Sequence, residues 1–366
     1  MDKVKIGIIG CGNISQAYFN AAKKLQILEV VSCADINMEA AKAKAEENEV
    51  KAVTVDELLA DPEIQIVINL TIPAVHAEVN MKILEAGKHV HCEKPLAVTR
   101  EDGKKIIDFA KEKGLKVGCA PDTFMGAGLQ TCRKLIDDYW LGKVVSGTAF
   151  MMGRGPEGWH PNPAFFYETG GGPMFDMGPY YITALIHLLG PVKRISAITT
   201  KAYEERIATC EAQFGKKLPV EIPTHYSGSL EFVSGAVVTV TISFDVWKHS
   251  NSIIEIHGTE GSMSVPDPNS FSGNVKVFKP GAEDWATVPH SHKYADNMRS
   301  IGVADMAYAI KSGRKHRCNG EMAYHALDIM HCFEESSQKG KAVELQSTCD
   351  QPAPLPADLI EGLLDA

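Results

Sequence analysis

The stretch VKIGIIGCGNIS, Val4 to Ser15, decides how the chain is read. Its first half is a short apolar, β-branched run of the kind that forms a buried strand. Its second half sets Gly10 and Gly12 directly after that run and ahead of a helical pattern, in which Ile14, Ala17, Tyr18, Ala21, Ala22 and Leu25 share one apolar face. Strand, tight glycine turn and helix in that order leave bare backbone and a helix N-terminus free to meet a pyrophosphate. Gly10 and Gly12, followed by Asn13 and Ile14, are therefore expected to cradle a dinucleotide, although two glycines alone also suit a plain tight turn. The third fingerprint position holds Ser15 instead of Gly or Ala. Asp35 strengthens the dinucleotide reading: it closes a second strand 20 residues after Ser15, where a carboxylate can accept both hydroxyls of an adenosine ribose. Its competing role is to cap a helix starting near Met38. A carboxylate at that place repels a 2′-phosphate and no arginine follows in ADINMEA, so NAD is expected in preference to NADP.

Outward from this motif, candidate strands at 29–34, 64–70, 88–93 and 115–120 alternate with helical segments, among them 75–86 and 99–113. Alternation of this kind predicts parallel strands joined by right-handed crossovers, hence an α/β fold with a doubly wound Rossmann sheet over residues 1–121. From 122 to 366 the pattern changes. HYSGSLEF (225–232) and AVVTVTISF (236–244), joined by VSG, predict a hairpin in an α+β domain with an open, mainly antiparallel sheet. Helices are expected at 125–140, 174–189, 296–312 and 321–338. The last 20 residues bear prolines and are expected to trail along the surface, with the C-terminal segment free to pack back on the first domain. AVVTVTISF carries apolar or β-branched residues on both faces, which one layer of helices cannot cover. A homodimer or homotetramer through that sheet is the expectation.

A length of 366 residues also favours two domains. Apolar residues at 45% and charged residues at 23% are the balance of a soluble globular protein. No apolar run approaches the roughly 20 residues of a spanning helix, and VKIGIIG is too short for a signal segment, so a cytoplasmic location without membrane contact is expected. The nine cysteines form no C-x-x-C pair, so no metal site is expected. The net charge is −9 without a basic block, which argues against nucleic acid as partner.

A second motif is HCEKPLAVT, His91 to Thr99. Ligands of open parallel sheets bind outside the carboxyl ends of the strands, and Glu93 and Lys94 stand at such an end. Thr71, Pro73 and His76 follow the preceding strand and face the same crevice, so Thr71, Pro73, His76, Glu93 and Lys94 are expected cofactor contacts. Pro95 fixes the direction of Lys94, which can then reach both the nicotinamide ribose and a reacting substrate oxygen. The plain alternative is a Glu–Lys pair exposed at a strand end. A third motif, ETGGGPMFDMGPYY, Glu168 to Tyr181, spaces Asp176 and Tyr180 four residues apart on one helical face, although Pro179 argues for a later helix start. Upstream, GPEGWHPNPAFFY supplies Trp159 and His160. Aromatic faces with polar edges suit a sugar or cyclitol ring, and equally a plug at a domain joint. Asp122, Trp159, His160, Asp176 and Tyr180 are the expected substrate contacts.

Together GCGNIS, the run TIPAVHAEVNMKILEAGKHVHCEKPLAVT, GGGPMFDMGPYY and GTEGSMSV (258–265) resemble the Gfo/Idh/MocA oxidoreductases, the family of glucose-fructose oxidoreductase and inositol dehydrogenase. The resemblance covers nearly the whole chain. It implies hydride transfer between a nicotinamide cofactor and a hydroxyl or keto carbon of a sugar, sugar derivative or cyclitol. Lys94 then becomes a catalytic lysine and Asp176 its acidic partner. Many members have histidine where this chain has Tyr180; glucose-fructose oxidoreductase and dimeric dihydrodiol dehydrogenase are similar to it in having tyrosine. His187 cannot substitute, since seven residues along a helix is about 10 Å. Tyr180 is the expected proton-transfer group, its pKa lowered by Lys94 and by the oxidised nicotinamide, with the roles of Lys94 and Tyr180 open to exchange. The resemblance also admits an NAD-dependent glycosidase, a self-recycling oxidoreductase that keeps its nucleotide, or a non-catalytic sugar-sensing regulator.

Overall fold

The computed structural model describes residues 2–365. In chain order the first unit contains β1 (Val4–Ile9), α1 (Ser15–Lys24), β2 (Leu28–Ala34), α2 (Met38–Asn48), β3 (Lys51–Ala52), α3 (Val55–Ala60), β4 (Ile66–Asn69), α4 (His76–Glu85), β5 (His89–Cys92), α5 (Arg100–Lys113) and β6 (Val117–Cys119). The six strands are all parallel, in the order β3-β2-β1-β4-β5-β6. The order reverses between β1 and β4, which opens a crevice at their carboxyl ends. Strand β4, IVIN, is buried throughout, as a strand covered on both faces requires. The helices stop where their caps dictate. Thr54 and Glu57 form a capping box on α3, and α5 runs from its Thr99 cap to Gly114 in the left-handed region. The pair β3 and α3 lay outside the strand–helix pattern read from the sequence, being two and six residues long.

The second unit continues with α6 (Ala127–Asp137), β7 (Val144–Met152), α7 (Gly172–Asp176), α8 (Gly178–Leu189), β8 (Val192–Thr200), β9 (Glu205–Ile207), β10 (Lys217–Pro219), β11 (His225–Phe232) and β12 (Val237–Ser243). It closes with β13 (Ile254–Gly258), β14 (Gly261–Val265), β15 (Val275–Phe278), β16 (Ala286–Val288), α9 (Ile301–Ser312), α10 (Gly320–Lys339) and β17 (Val343–Glu344). Nine of these strands form one sheet, β16-β15-β14-β13-β7-β12-β11-β8-β17, in which only β7 and β12 run parallel. The hairpin read from 225–244 is the β11–β12 pair. On its inner face Tyr226, Leu230, Val238, Val240 and Ile242 are buried, with α10 packed on β11 and α7 on β12; on the outer face Ser229, Val237 and Thr239, with Ile198 of the neighbouring β8, remain exposed.

The late helices tie the units together. Helix α9 lies against β4, β6 and α1 of the parallel sheet, and α10 packs on β8 and on α5. Arg100 of α5 reaches the buried Asp328 of α10 at 2.7 Å and Glu335 at 2.9 Å. The tail departs from the surface course expected of it. Leu355, Leu359 and Leu364 are buried, Arg317 donates to the carbonyls of Ala353 and Pro354, and Gln26 N–H donates to the Gly362 carbonyl at 3.1 Å. Prolines prevent regular structure there but do not prevent leucines from filling slots. Among the described residues no helix is long and apolar enough to cross a membrane.

Candidate active site

Three loops at the carboxyl ends of β1, β2 and β4 form the upper wall of the crevice. Gly10 adopts φ +100°, and a Cβ there would strike the Leu70 carbonyl at 2.6 Å, so only glycine lets the loop pass this close to β4. A Cβ on Gly12 would meet no atom within 4 Å: this glycine borders open space, where its missing side chain leaves room for a phosphate. Ser15 is fully buried, with Oγ on the Gly12 carbonyl at 2.7 Å, and so takes the packing role of the glycine it replaces. The Asp35 carboxylate accepts the N–H of Cys11 and that of Asn37, both at 2.8 Å. The cap of α2 is Asn37, which leaves Asp35 at the mouth of the glycine loop. Ile14, Ile36 and Ile72 project at these strand ends, 37%, 101% and 66% exposed, an apolar rim suited to flat rings. Glycine loop, carboxylate and apolar rim together fit a dinucleotide.

The lower wall is the segment after β5. Glu93 is held by the Tyr18 hydroxyl at 2.7 Å and by the Lys94 N–H at 2.9 Å. Lys94 Nζ crosses to the second unit, donating to the Asp176 carbonyl at 2.6 Å and to Asp176 Oδ1 at 2.8 Å, and it lies 5.3 Å from the centre of the Tyr180 ring. The sequence placed Asp176 and Tyr180 on one helix. They stand instead on α7 and α8, with a break at Met177 and Pro179 in the first turn of α8, yet they still converge on Lys94. Burial pushes the Lys94 pKa down, but Asp176, Tyr180 and Glu93 together outweigh it and raise the pKa above the ordinary lysine value. Burial raises the Tyr180 pKa, Glu93 adds to this, and Lys94 and Arg299 oppose it; burial prevails. The lowering expected from the sequence is thus reversed in the protein alone, because the ring is nearly enclosed.

Three expectations are corrected. His76 is completely buried, with Nδ1 on the Pro95 carbonyl at 2.7 Å and Nε2 on the Thr71 carbonyl at 2.9 Å; it joins the two lining loops from behind and does not face the crevice. Asp122 is 1% exposed and accepts the N–H groups of Ser300 and Gly302 at 3.1 and 3.0 Å, so it anchors α9 and is closed to substrate. Trp159 and His160 pack edge-on at 5.4 Å. Trp159 lines a cavity of about 610 Å³ with Arg154, Tyr203, Arg206 and Trp247, to which Lys94, Asp176 and Tyr180 do not contribute. Their loop is pinned by Glu157, which binds Arg206 at 2.7 Å and the Tyr167 hydroxyl. Thr71 and Pro73 stay at the crevice, Thr71 fixed by its hydroxyl on Asn69 Oδ1 at 2.7 Å. Arg299, which belongs to no motif in DNMRSIG, was missed; its charge opposes burial in setting the Tyr180 pKa.

The chain is 29% identical over 355 residues to 1,5-anhydro-D-fructose reductase of Ensifer adhaerens, covering 93% of this chain and 98% of the relative. It is 26% identical to levoglucosan dehydrogenase of Pseudarthrobacter phenanthrenivorans over 72% of this chain and 73% of that one. It is also 24% identical to the NADP-dependent scyllo-inositol 2-dehydrogenase of Bacillus subtilis, over 94% and 97% of the two chains. A levoglucosan dehydrogenase structure in complex with NADH superposes with a TM-score of 0.81 at 23% identity, over 94% of this chain and 100% of the other, which shows the shared fold. Residues 4–120 match the oxidoreductase family with an NAD-binding Rossmann fold, and residues 129–264 match its GFO/IDH/MocA C-terminal domain. The chain belongs to the Gfo/Idh/MocA family of NAD(P)-binding oxidoreductases.

Proposed function

We propose that this oxidoreductase interconverts a carbon-bound hydroxyl and a ketone on a sugar, sugar derivative or cyclitol, using NAD. The observation that carries the reading is the meeting of Lys94, Asp176 and Tyr180 at the carboxyl ends of the parallel strands, across the junction of the two units. NAD, when bound, supplies the hydride acceptor at C4 of its nicotinamide. Gly10, Gly12, Asn13 and Ile14 hold its pyrophosphate, Asp35 its adenosine ribose, and Thr71, Pro73, Glu93 and Lys94 its nicotinamide end. Oxidation of an alcohol needs a base for the hydroxyl proton, and reduction needs the same group as acid. Lys94 is held charged by Asp176, which suits it to polarise the substrate oxygen and leaves Tyr180 to move the proton. Asp176 orients both Lys94 and substrate.

The Asp35 carboxylate, with both oxygens already fixed by backbone N–H groups and no arginine in residues 35–44, supports NAD over NADP. The preference should be about tenfold to a hundredfold, the value of roughly 1 to 3 kcal/mol at the ribose, read by calorimetric titration of both nucleotides. The exposed outer face of the nine-stranded sheet supports assembly as a homodimer or homotetramer. The decisive experiment is a screen of sugars, sugar acids and cyclitols by nicotinamide absorbance, repeated with Lys94→Met and Tyr180→Phe. Each variant should lose about 100 to 10,000-fold in kcat while NAD affinity stays within about tenfold. Parent-like turnover by both variants refutes the assignment.

A further inference from the structure

The Trp159 loop lines a cavity away from the catalytic residues, and that cavity has a chemistry of its own. Strands β7 and β12 run parallel in the nine-stranded sheet, so both chains leave it at the same end. Arg154 and Asp245, just past the two ends, are joined by a backbone bridge, and Trp247 follows two residues later. Strand β8 points the same way as β12, since each is antiparallel to β11, and it delivers Tyr203 to the same place. With Trp159 and with Arg206 of β9 these residues enclose about 610 Å³, the size of a pocket for a small ligand.

Two properties of the wall point to a ligand. The first is flat apolar surface: Trp159, Tyr203 and Trp247 all stand exposed. The Arg154 guanidinium lies 4.0 Å from the centre of Trp247 and 5.9 Å from that of Tyr203, which braces both rings. The second is a rigid polar floor whose donors are not all used. Arg206, almost fully buried, donates to Glu157 Oε1 at 2.7 Å, to the Phe244 carbonyl at 2.9 Å and to Asp245. The Glu157 carbonyl accepts the N–H groups of Thr209 and Cys210, both at 2.8 Å, and its carboxylate lies 3.5 Å from Arg154 Nη2. Yet Arg154 Nη1 and Arg206 Nε have no acceptor among the described residues, an uncommon state for enclosed donors. The charges of the wall balance. Arg154 and Arg206 face Glu157 and Asp245, and Glu205 is paired with Lys217 at 2.8 Å. An ionic ligand would upset that balance, and a purely apolar one would leave the donors empty. An uncharged pyranose meets both conditions, because its C–H face lies flat on an aromatic ring while its rim of oxygens accepts from the guanidinium groups.

We propose that this cavity is a second saccharide site, separate from Lys94, Asp176 and Tyr180, which takes an uncharged pyranose ring against Trp247 and Trp159 with Arg154 and Arg206 as its hydrogen-bond donors. It goes beyond the proposed function and stands whether or not Tyr180 moves the proton. The contact to a sugar that the sequence suggested for Trp159 is thereby moved to a different part of the second unit.

Ligand-observed saturation-transfer NMR on the full-length protein tests this without a known substrate. Methyl glucopyranoside and maltose serve as ring probes, sorbitol as an open-chain polyol and glucuronate as a charged ring. Both pyranosides should bind saturably; sorbitol, which has no ring face, should bind about tenfold more weakly, and glucuronate no more tightly than the glucoside. Trp247→Ala, a change at an exposed position that removes no core packing, and Arg154→Gln should each weaken the pyranosides about tenfold, and Trp247→Phe should restore part of the loss. Lys94→Met and Tyr180→Phe should leave the affinity unchanged. The proposal is overturned if neither pyranoside binds, if binding is indifferent to Trp247→Ala and Arg154→Gln, or if glucuronate is preferred about tenfold. Binding lost in Lys94→Met places the ring in the catalytic crevice and overturns it as well. If the pyranosides do not bind and Trp247→Ala lowers the mass seen by light scattering, the cavity is a contact between copies of the chain and the saccharide site falls. A failed turnover screen, by contrast, counts against the proposed function alone.

Discussion

His76 carries a prediction that follows from hydrogen-bond counting. Both of its ring nitrogens face carbonyl oxygens, Pro95 at 2.7 Å and Thr71 at 2.9 Å. A neutral imidazole has one N–H and can satisfy one of them, whereas the imidazolium satisfies both. Burial disfavours the cation, but the Cys92 sulfur beside it and the two carbonyls override burial and raise the pKa to about 9. Unfolded histidine titrates at about 6.5, so the gap of roughly 2.5 units corresponds to about 3 kcal/mol. Since the folded value is the higher one, this stability is complete below about pH 6.5 and disappears as the pH rises through about 9. Urea unfolding of the parent and of His76→Leu should therefore show a stability difference that shrinks between about pH 6 and pH 10 by less than the full value of about 3 kcal/mol, because the Cys92 thiol, lowered to about 6, titrates in the opposite sense over the same range. Cys92→Ser, which removes the largest favourable influence on the imidazolium, should narrow that span in the parent background. A difference between parent and His76→Leu that stays constant across this range would mean that the imidazole is neutral in the folded chain and that the two loops are joined by a single hydrogen bond.

The glycine loop separates folding from cofactor binding. Gly12→Ala meets no protein atom, so it should leave the melting temperature of the protein unchanged while weakening NAD at least tenfold by calorimetry. Gly10→Ala combines a strained φ with a 2.6 Å clash on the Leu70 backbone and should cost about 2 to 4 kcal/mol in urea unfolding. The open sheet face predicts a dimer or tetramer by light scattering, and a charge placed on it by Ile198→Glu, at a position 69% exposed in one chain, should shift the mass toward the monomer. A monomeric parent at micromolar concentration contradicts that interface.

Much of the fold was legible because it is written in local pattern. The strand VKIGII, the glycine turn and the hairpin around VSG all announce themselves in fewer than a dozen residues. The site was legible where a motif concentrates it, as in GCGNIS, Asp35, EKP and the Asp176–Tyr180 pair. What escaped depends on distant chain. Asp122 read as a polar group past a strand end, but its carboxylate faces two N–H groups at the start of α9, those of Ser300 and Gly302, some 180 residues away. His76 read as facing the crevice, and only the return of the chain to Pro95 shows that it is enclosed. Arg299 carries no local signal because the tyrosine whose pKa its charge opposes lies on α8, far off in the chain. The buried leucines of the tail escaped for the same reason: their slots are built by residues around Gln26, Tyr294 and Arg317.

The Lys94–Asp176 bond, which spans the two sheets, has a consequence for how such a chain can diversify. The lysine arrives with the nucleotide half, while the acid, the phenol and Arg299 arrive with the other. Loops of the second half can be rebuilt to admit a different polyol while the nucleotide half is inherited intact, provided the one lysine still finds its carboxylate. This cross-junction contact of 2.8 Å is then the registration mark against which new specificities are tried, and a lineage can change its diet without changing its currency of electrons.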